Sequence, residues 1–229
     1  MYQALREVTG IAIEPERNFF DGLQNADAWL TISGVLKAIA LQTSKLAADL
    51  RLMSSGPRAG YCTSSWLPAV QPGSSIMPGK INPVVPEMIM QVYFRVLGQG
   101  CVDLPLCEGE LELNVWESFL LNAASESAVP VRNAMRLFAE RCVDGITANV
   151  DRCNGAARQS TALSTGVAML FGYPLASEVA MRAQREGKTV QDTVIEMGVL
   201  SEADARRYLD PLVLTSPDQF HDLLESRLK

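Results

Sequence analysis

The amino-acid sequence predicts an all-α protein, a bundle of long helices followed by a small helical domain. Three observations predict it. Between Asn25 and Ser54 apolar residues recur in steps of three and four, the period of a helix. No segment sustains the apolar/polar alternation of a half-buried strand. Helix stops and starts punctuate the last third of the chain: Gly187, Gly198, and Ser201 with Asp204 in the S-x-x-[DE] form of a capping box.

In chain order, residues 1–23 read as an irregular lead-in, because Pro15, Gly22 and "RNFFDG" discourage a long helix. Trp29, Ile32, Leu36, Ile39, Thr43, Leu46, Leu50 and Met53 then form a heptad-like seam, so one helix is expected to about Ser54, stopped at Gly56 and Pro57. A second helix is expected to start near Val84–Pro86, with Ile89, Val92 and Val96 on its buried face, since proline suits a first turn. Gly98, Gly100 and Pro105 weaken that pattern. Helix resumes after about Leu111 and runs towards Cys142, with Pro130 predicted to kink or interrupt it. Shorter helices are predicted around 150–159, 174–186, 189–197 and 201–209. The domain division read from this pattern is 1–145, the helical bundle, and 146–229, the small helical domain. Three long helices make a thin bundle with seam left over, so helices of other chains are expected to complete a homo-oligomer.

Composition narrows the function. Net charge is −6 with no basic cluster, which argues against nucleic acid as a partner. No apolar run reaches transmembrane length, and "MYQALREVTG" lacks the apolar core of a signal peptide, so no membrane partner and a cytoplasmic location are expected. The 5 cysteines, Cys62, Cys101, Cys107, Cys142 and Cys153, include no C-x-x-C pair, which points to free thiols and to no metal site. The single histidine, His221, reads as a solvated helix residue. One imidazole in a terminal tail rules out a Ser-His-Asp triad or a His-rich metal site built from this chain alone.

The segment "PGSSIMPGKINP", Pro72 to Pro83, is longer than a connector between helices needs to be. Gly73 and Gly79 allow unusual backbone angles and hinge motion. Ser74 and Ser75 bring hydroxyls close to backbone N–H groups, Lys80 supplies a cation, and Asn82 an amide. A point charge, a directional donor and a group of N–H dipoles suit an anionic carboxylate. Glu87 falls in the first turn of the following helix, where the helix dipole favours a carboxylate.

"GSSIMPGKINP" closely resembles the signature loop of the aspartase/fumarase superfamily, G-S-S-x-M-P-x-K-x-N, and matches every defined position. "LRLMSSGPRAG", "PVVPE", "ELELNV" and "CVDGITAN" extend the similarity over nearly the whole chain. "PVVPE" and "GITAN" are more similar to aspartate ammonia-lyase than to class II fumarase, and argininosuccinate and adenylosuccinate lyases look more distant. The resemblance implies that residues 1–145 are part of the family's central helical domain. It also implies a cofactor-free β-elimination that converts a small dicarboxylate to fumarate. Ser74 would then be the base that removes the Cβ proton, and Lys80, Asn82 and Ser75 would hold the substrate. Gly73, Met77, Pro78 and Gly79 would shape a lid. Glu87 would correspond to a glutamate that pairs with a histidine, and the assembly would be a tetramer.

Other segments depart from the family pattern. The threonine, asparagine and histidine motifs of the family's first domain do not occur, and "LFGYPLASEVAMRAQ" stands where aspartases often carry a "GHHN"-like segment. "REGKTVQDTVIEMGVLSEADA" resembles both aspartase and fumarase. The resemblance therefore implies the C-terminal half of such an enzyme, with a missing N-terminal half as a further partner. Little activity is expected of it alone; the implied reaction is L-aspartate to fumarate and ammonia, with class II fumarate hydratase or a non-catalytic oligomerisation fragment as the alternatives.

Overall fold

The computed structural model describes residues 1–56 and 64–228, with the side chains of 101–104 and 226–228 outside the description. Pro57 and Cys62, and the side chain of Cys101, therefore lie outside the described residues. The chain divides into two compact units, Met1–Thr147 and Ala148–Lys229, each with its own core.

The first unit opens with two short helices, α1 (Tyr2–Thr9) and α2 (Phe19–Gln24), where the sequence predicts irregular chain. Local signals suffice to form them. The Asn18 side chain accepts from the Phe20 N–H to start α2, and Gly10 closes α1 at a φ of 68°. Neither helix buries a residue.

Three long helices carry the unit: α3 (Asp27–Met53), α4 (Val84–Leu106) and α5 (Glu117–Arg141). They enclose a core of Ala47, Leu50, Ile89, Ala134, Phe138 and Cys142, extended by Ala40, Val96 and Val131. The buried seam of α3 shares Thr43 and Leu50 with the one its periodicity suggests but otherwise departs from it. Ser33, Ala40, Thr43, Ala47 and Leu50 face inward, while Ile32, Ile39, Leu46 and Met53 stand 39–47% exposed. Small residues at 33, 40 and 47 let neighbouring helices approach, and larger side chains there would hold the axes further apart.

α4 runs through Gly98, Gly100 and Pro105 without a break. Lys37 of α3 crosses directly over Gly100 and donates to its carbonyl at 3.3 Å; a Cβ at that position would lie 1.8 Å from the lysine Cε. The glycine is there for a close helix crossing and does not end the helix. α5 likewise continues through Pro130. The proline removes one backbone donor, but Ser127, Val131 and Ala134 are buried on either side and hold the helix to its neighbours. Asn114, 4% exposed, joins the pieces before α5: its N–H donates to Leu23 O, its Nδ2 to Leu106 O, and its Oδ1 accepts from Trp116 N–H. The described strands are two residues each, β1 (Ser65–Trp66) paired with β2 (Thr147–Ala148), so the fold is all-α as predicted.

The second unit is built from α6 (Val150–Gln159), α7 (Ser164–Phe171), α8 (Tyr173–Glu186), α9 (Val190–Glu196), α10 (Glu202–Tyr208), α11 (Pro211–Leu214) and α12 (Pro217–Leu228). Asn149, Thr189, Ser201 and Asp210 cap α6, α9, α10 and α11, each side chain accepting a backbone N–H of the first turn. Gly187 and Gly198 follow α8 and α9 at φ of 65° and 67°. The core packs Val167, Val179, Val190, Val194 and Leu209 at complete burial. His221 is exposed on α12, paired with Glu225 at 3.2 Å.

Candidate active site

The segment between β1 and α4 contains no helix, yet its backbone is closed on itself. Gly73 N–H donates to Lys80 O at 2.8 Å, and Asn82 Nδ2 donates to Gly73 O at 3.2 Å. These two bonds tie the ends of the loop into a neck. Gly73 keeps an ordinary negative or extended φ, so its role is steric: a Cβ there would lie 2.7 Å from the Lys80 carbonyl oxygen. The outer arch is a β-turn over Met77–Pro78–Gly79–Lys80, with Lys80 N–H donating to Met77 O at 3.2 Å. Proline at the second position and Gly79 at a φ of 80° at the third are the type II pattern.

The neck brings Ser74 near Lys80 and Asn82. Ser74 is half-buried, and its Oγ accepts from Ile76 N–H at 3.3 Å. Asn82 is half-buried, whereas Lys80 is exposed and, among the described residues, forms no ion pair. Ser75, Met77, Pro78 and Gly79 are exposed on the arch. Beyond the neck, Val84 N–H donates to Asn82 O at 2.9 Å and Glu87 N–H to Pro83 O at 3.1 Å, which starts α4 directly from the loop.

Glu87 faces Arg51 near the end of α3, with Oε1 and Nη2 3.6 Å apart; Arg51 Nη1 also donates to Met90 Sδ at 3.4 Å. Sequence reasoning does not single out Arg51, because 36 residues separate it from Glu87 and no local motif links them. The chain's one imidazole, His221, is paired with Glu225 on α12. Both members are more than a third exposed, so water screens their attraction.

Chemically, the neck offers a hydroxyl, an ammonium and a carboxamide, a set that can hold a carboxylate and place an oxygen beside it. Among the described residues no group of three or more His, Cys, Asp or Glu side chains is arranged to hold a metal ion. No described helix is long and apolar enough to cross a membrane.

Comparison with known proteins gives this geometry its context. Residues 1–98 match a family model described as lyase, and residues 162–216 one described as fumarase C C-terminus. Aspartate ammonia-lyase of Bacillus subtilis (strain 168) is 39% identical over 214 residues, which are 93% of this chain and 45% of the relative. A solved fumarate lyase:delta crystallin from Brucella melitensis, bound to cobalt, is 41% identical with a TM-score of 0.86, covering 94% of this chain and 47% of that one. Class II fumarase from Schistosoma mansoni is 27% identical with a TM-score of 0.84, over 94% and 46%. The chain thus spans about half the length of the relatives it matches.

Proposed function

The chain belongs to the aspartase/fumarase superfamily, and from that premise we propose that it is the loop-bearing polypeptide of a lyase that forms fumarate by β-elimination, with L-aspartate as substrate. The observation that carries the reading is the closed neck, which gathers Ser74, Lys80 and Asn82 around one backbone crossing. Lys80 and Asn82 hold the carboxylate next to the carbon that loses its proton. Charge grows on that carboxylate in the aci-carboxylate intermediate, so both groups stabilise the transition state more than the ground state. Ser74, as alkoxide, takes the Cβ proton. The C–H electrons form the double bond, and the C–N bond breaks to release ammonia. A serine hydroxyl is a weak acid, so this role needs N–H donors and exclusion of water when the loop closes. Ser75, exposed on the arch, shares in binding the substrate under this reading. Glu87, held by Arg51 in this chain, would meet a histidine supplied by another polypeptide.

The second reading is class II fumarase chemistry on L-malate, favoured by the match of residues 162–216 to the fumarase C C-terminus. The reaction needs no cofactor under either reading. Further partners are a second copy of the chain, packed on the exposed line Ile32, Ile39, Leu46 and Met53, and a polypeptide carrying the half of the relatives that this chain does not match. A cytoplasmic setting suits Cys107, Cys142 and Cys153, which form no disulfide among the described residues.

The test follows fumarate absorbance with L-aspartate and with L-malate separately, for the chain alone and mixed with the unmatched half of the Bacillus subtilis relative. Fumarate and ammonia from aspartate in the mixture support the first reading, and fumarate from malate alone supports the second. Neither product would remove both and leave an oligomerisation module. In an active mixture Ser74→Ala should lower turnover by about 10²–10⁴-fold without changing assembly. Ile39→Ser with Leu46→Ser should abolish self-association in sedimentation experiments while helix content stays constant.

A further inference from the structure

The carbonyl of Gly73 and the N–H of Ser74 belong to one peptide group, and a peptide group is planar. Asn82 Nδ2 donates to that carbonyl at 3.2 Å. On the other side of Gly73, the N–H donates to Lys80 O at 2.8 Å, and a Cβ at 73 would close to 2.7 Å from the same oxygen. The peptide entering Ser74 is therefore held at its carbonyl by Asn82, and the peptide before it at its N–H by Lys80, both residues from the far side of the loop. A carboxamide nitrogen carries two N–H groups. One is engaged by Gly73, and among the described residues the other has no partner, which leaves it for a ligand.

We infer that Asn82 is a positioning residue for Ser74: through the Gly73 carbonyl it fixes the peptide plane that carries the Ser74 N–H, so one carboxamide both holds the substrate carboxylate and sets the base. This rests on the lyase reading for the substrate and the base, but the geometric half stands without it. Hydrogen bonds in series polarise one another. A carboxylate on the free N–H of Asn82 would be coupled through two bonds to the backbone at Ser74. Gly73 then has a defined part: only a residue without a side chain lets Lys80 O approach closely enough to complete the neck.

Two measurements test this. Residue-resolved amide exchange on the free chain reads the neck without any activity. Asn82→Ala should speed exchange at the Gly73 N–H, which donates to Lys80 O across the neck, by about fivefold or more, with amides of α3, α4 and α5 unchanged. A change under about twofold would overturn the inference. Should Asn82→Ala fail to fold, Asn82→Asp, of equal size but without the N–H, is read the same way. In the active mixture, normalised to assembled protein, Gly73→Ala should lower kcat by about tenfold with KM within about twofold. It should also shift the limb of the pH profile set by the base, which a smaller active fraction alone would leave in place. Unchanged kcat and pH profile would overturn the positioning role. No fumarate from the wild-type mixture would overturn the lyase reading, while exchange still decides the neck.

Discussion

The second unit buries Val167, Val179, Val190, Val194 and Leu209 completely with helices of 4 to 14 residues. The first, with helices of 27, 23 and 25 residues, leaves Ile32, Ile39 and Leu46 well exposed. Helix length and closure of the core are thus separate properties. Short helices joined by capped corners can wrap apolar residues on several sides. A long helix packed against two others has more apolar circumference than its neighbours cover. The core of the second unit is closed by its own chain, and the first leaves an apolar line of α3 exposed.

The sharpest way to break that comparison is to cut equivalent leucines. Leu209→Ala removes a fully buried side chain and should cost the second unit about 2–5 kcal/mol. Leu46→Ala, at 47% exposure, should change the first unit by about 0.5 kcal/mol or less, measured where the chain is monomeric. Urea unfolding followed by amide exchange separates the two units. Equal costs would mean that Leu46 is already covered in the monomer, and the contrast would fail. A smaller effect tests the corners: Ser201→Ala removes the acceptor of the Asp204 N–H at 3.1 Å and should cost about 1 kcal/mol.

Legibility followed the range of the forces involved. The Ser201 cap and the stops at Gly187 and Gly198 are local, and each forms where its spacing predicts, with Ser201 accepting the Asp204 N–H. The helix from Asp27 to Met53 is legible because its period persists over many turns. Which face of that helix is buried was legible only at Thr43 and Leu50, since Ile32, Ile39 and Leu46 are more apolar than the buried Ser33, Ala40 and Ala47. The close approach of α3 to its neighbours favours small residues, and that preference depends on partners distant in sequence. Gly100 misled for the same reason, because Lys37, 63 residues away, explains it. In the candidate site the loop was legible as a motif. Its neck was not, since nothing in "GSSIMPGKIN" states that Gly73 meets both Lys80 and Asn82. The Arg51–Glu87 pair is likewise a tertiary fact.

The weakest expected effect probes the corner between α8 and α9. Glu186 meets Arg182 at 3.0 Å and Lys188 at 3.1 Å, and Lys188 meets Glu196 at 2.6 Å. The hydrogen bond from Lys188 holds the Glu186 carboxyl below its ordinary value of 4.5, and the bond to Glu196 raises Lys188 above its ordinary 10.5. A carboxyl with a lowered folded value contributes stability that is present above 4.5 and lost as pH falls through the lowered value. A raised lysine contributes stability that is complete below 10.5 and lost as pH climbs through the raised value. The corner is therefore held over the whole interval between, and it weakens at both ends. Glu186 and Lys188 are 29% and 38% exposed, so water and salt screen the pair. Replacing Glu186 by Gln should lower the urea midpoint slightly and uniformly across that interval. The gap from wild type should close as pH drops below 4.5, and about 1 M salt should remove most of it. A gap that persists in acid and in salt would assign the effect to packing of the Glu186 stem and remove charge from the account of this corner.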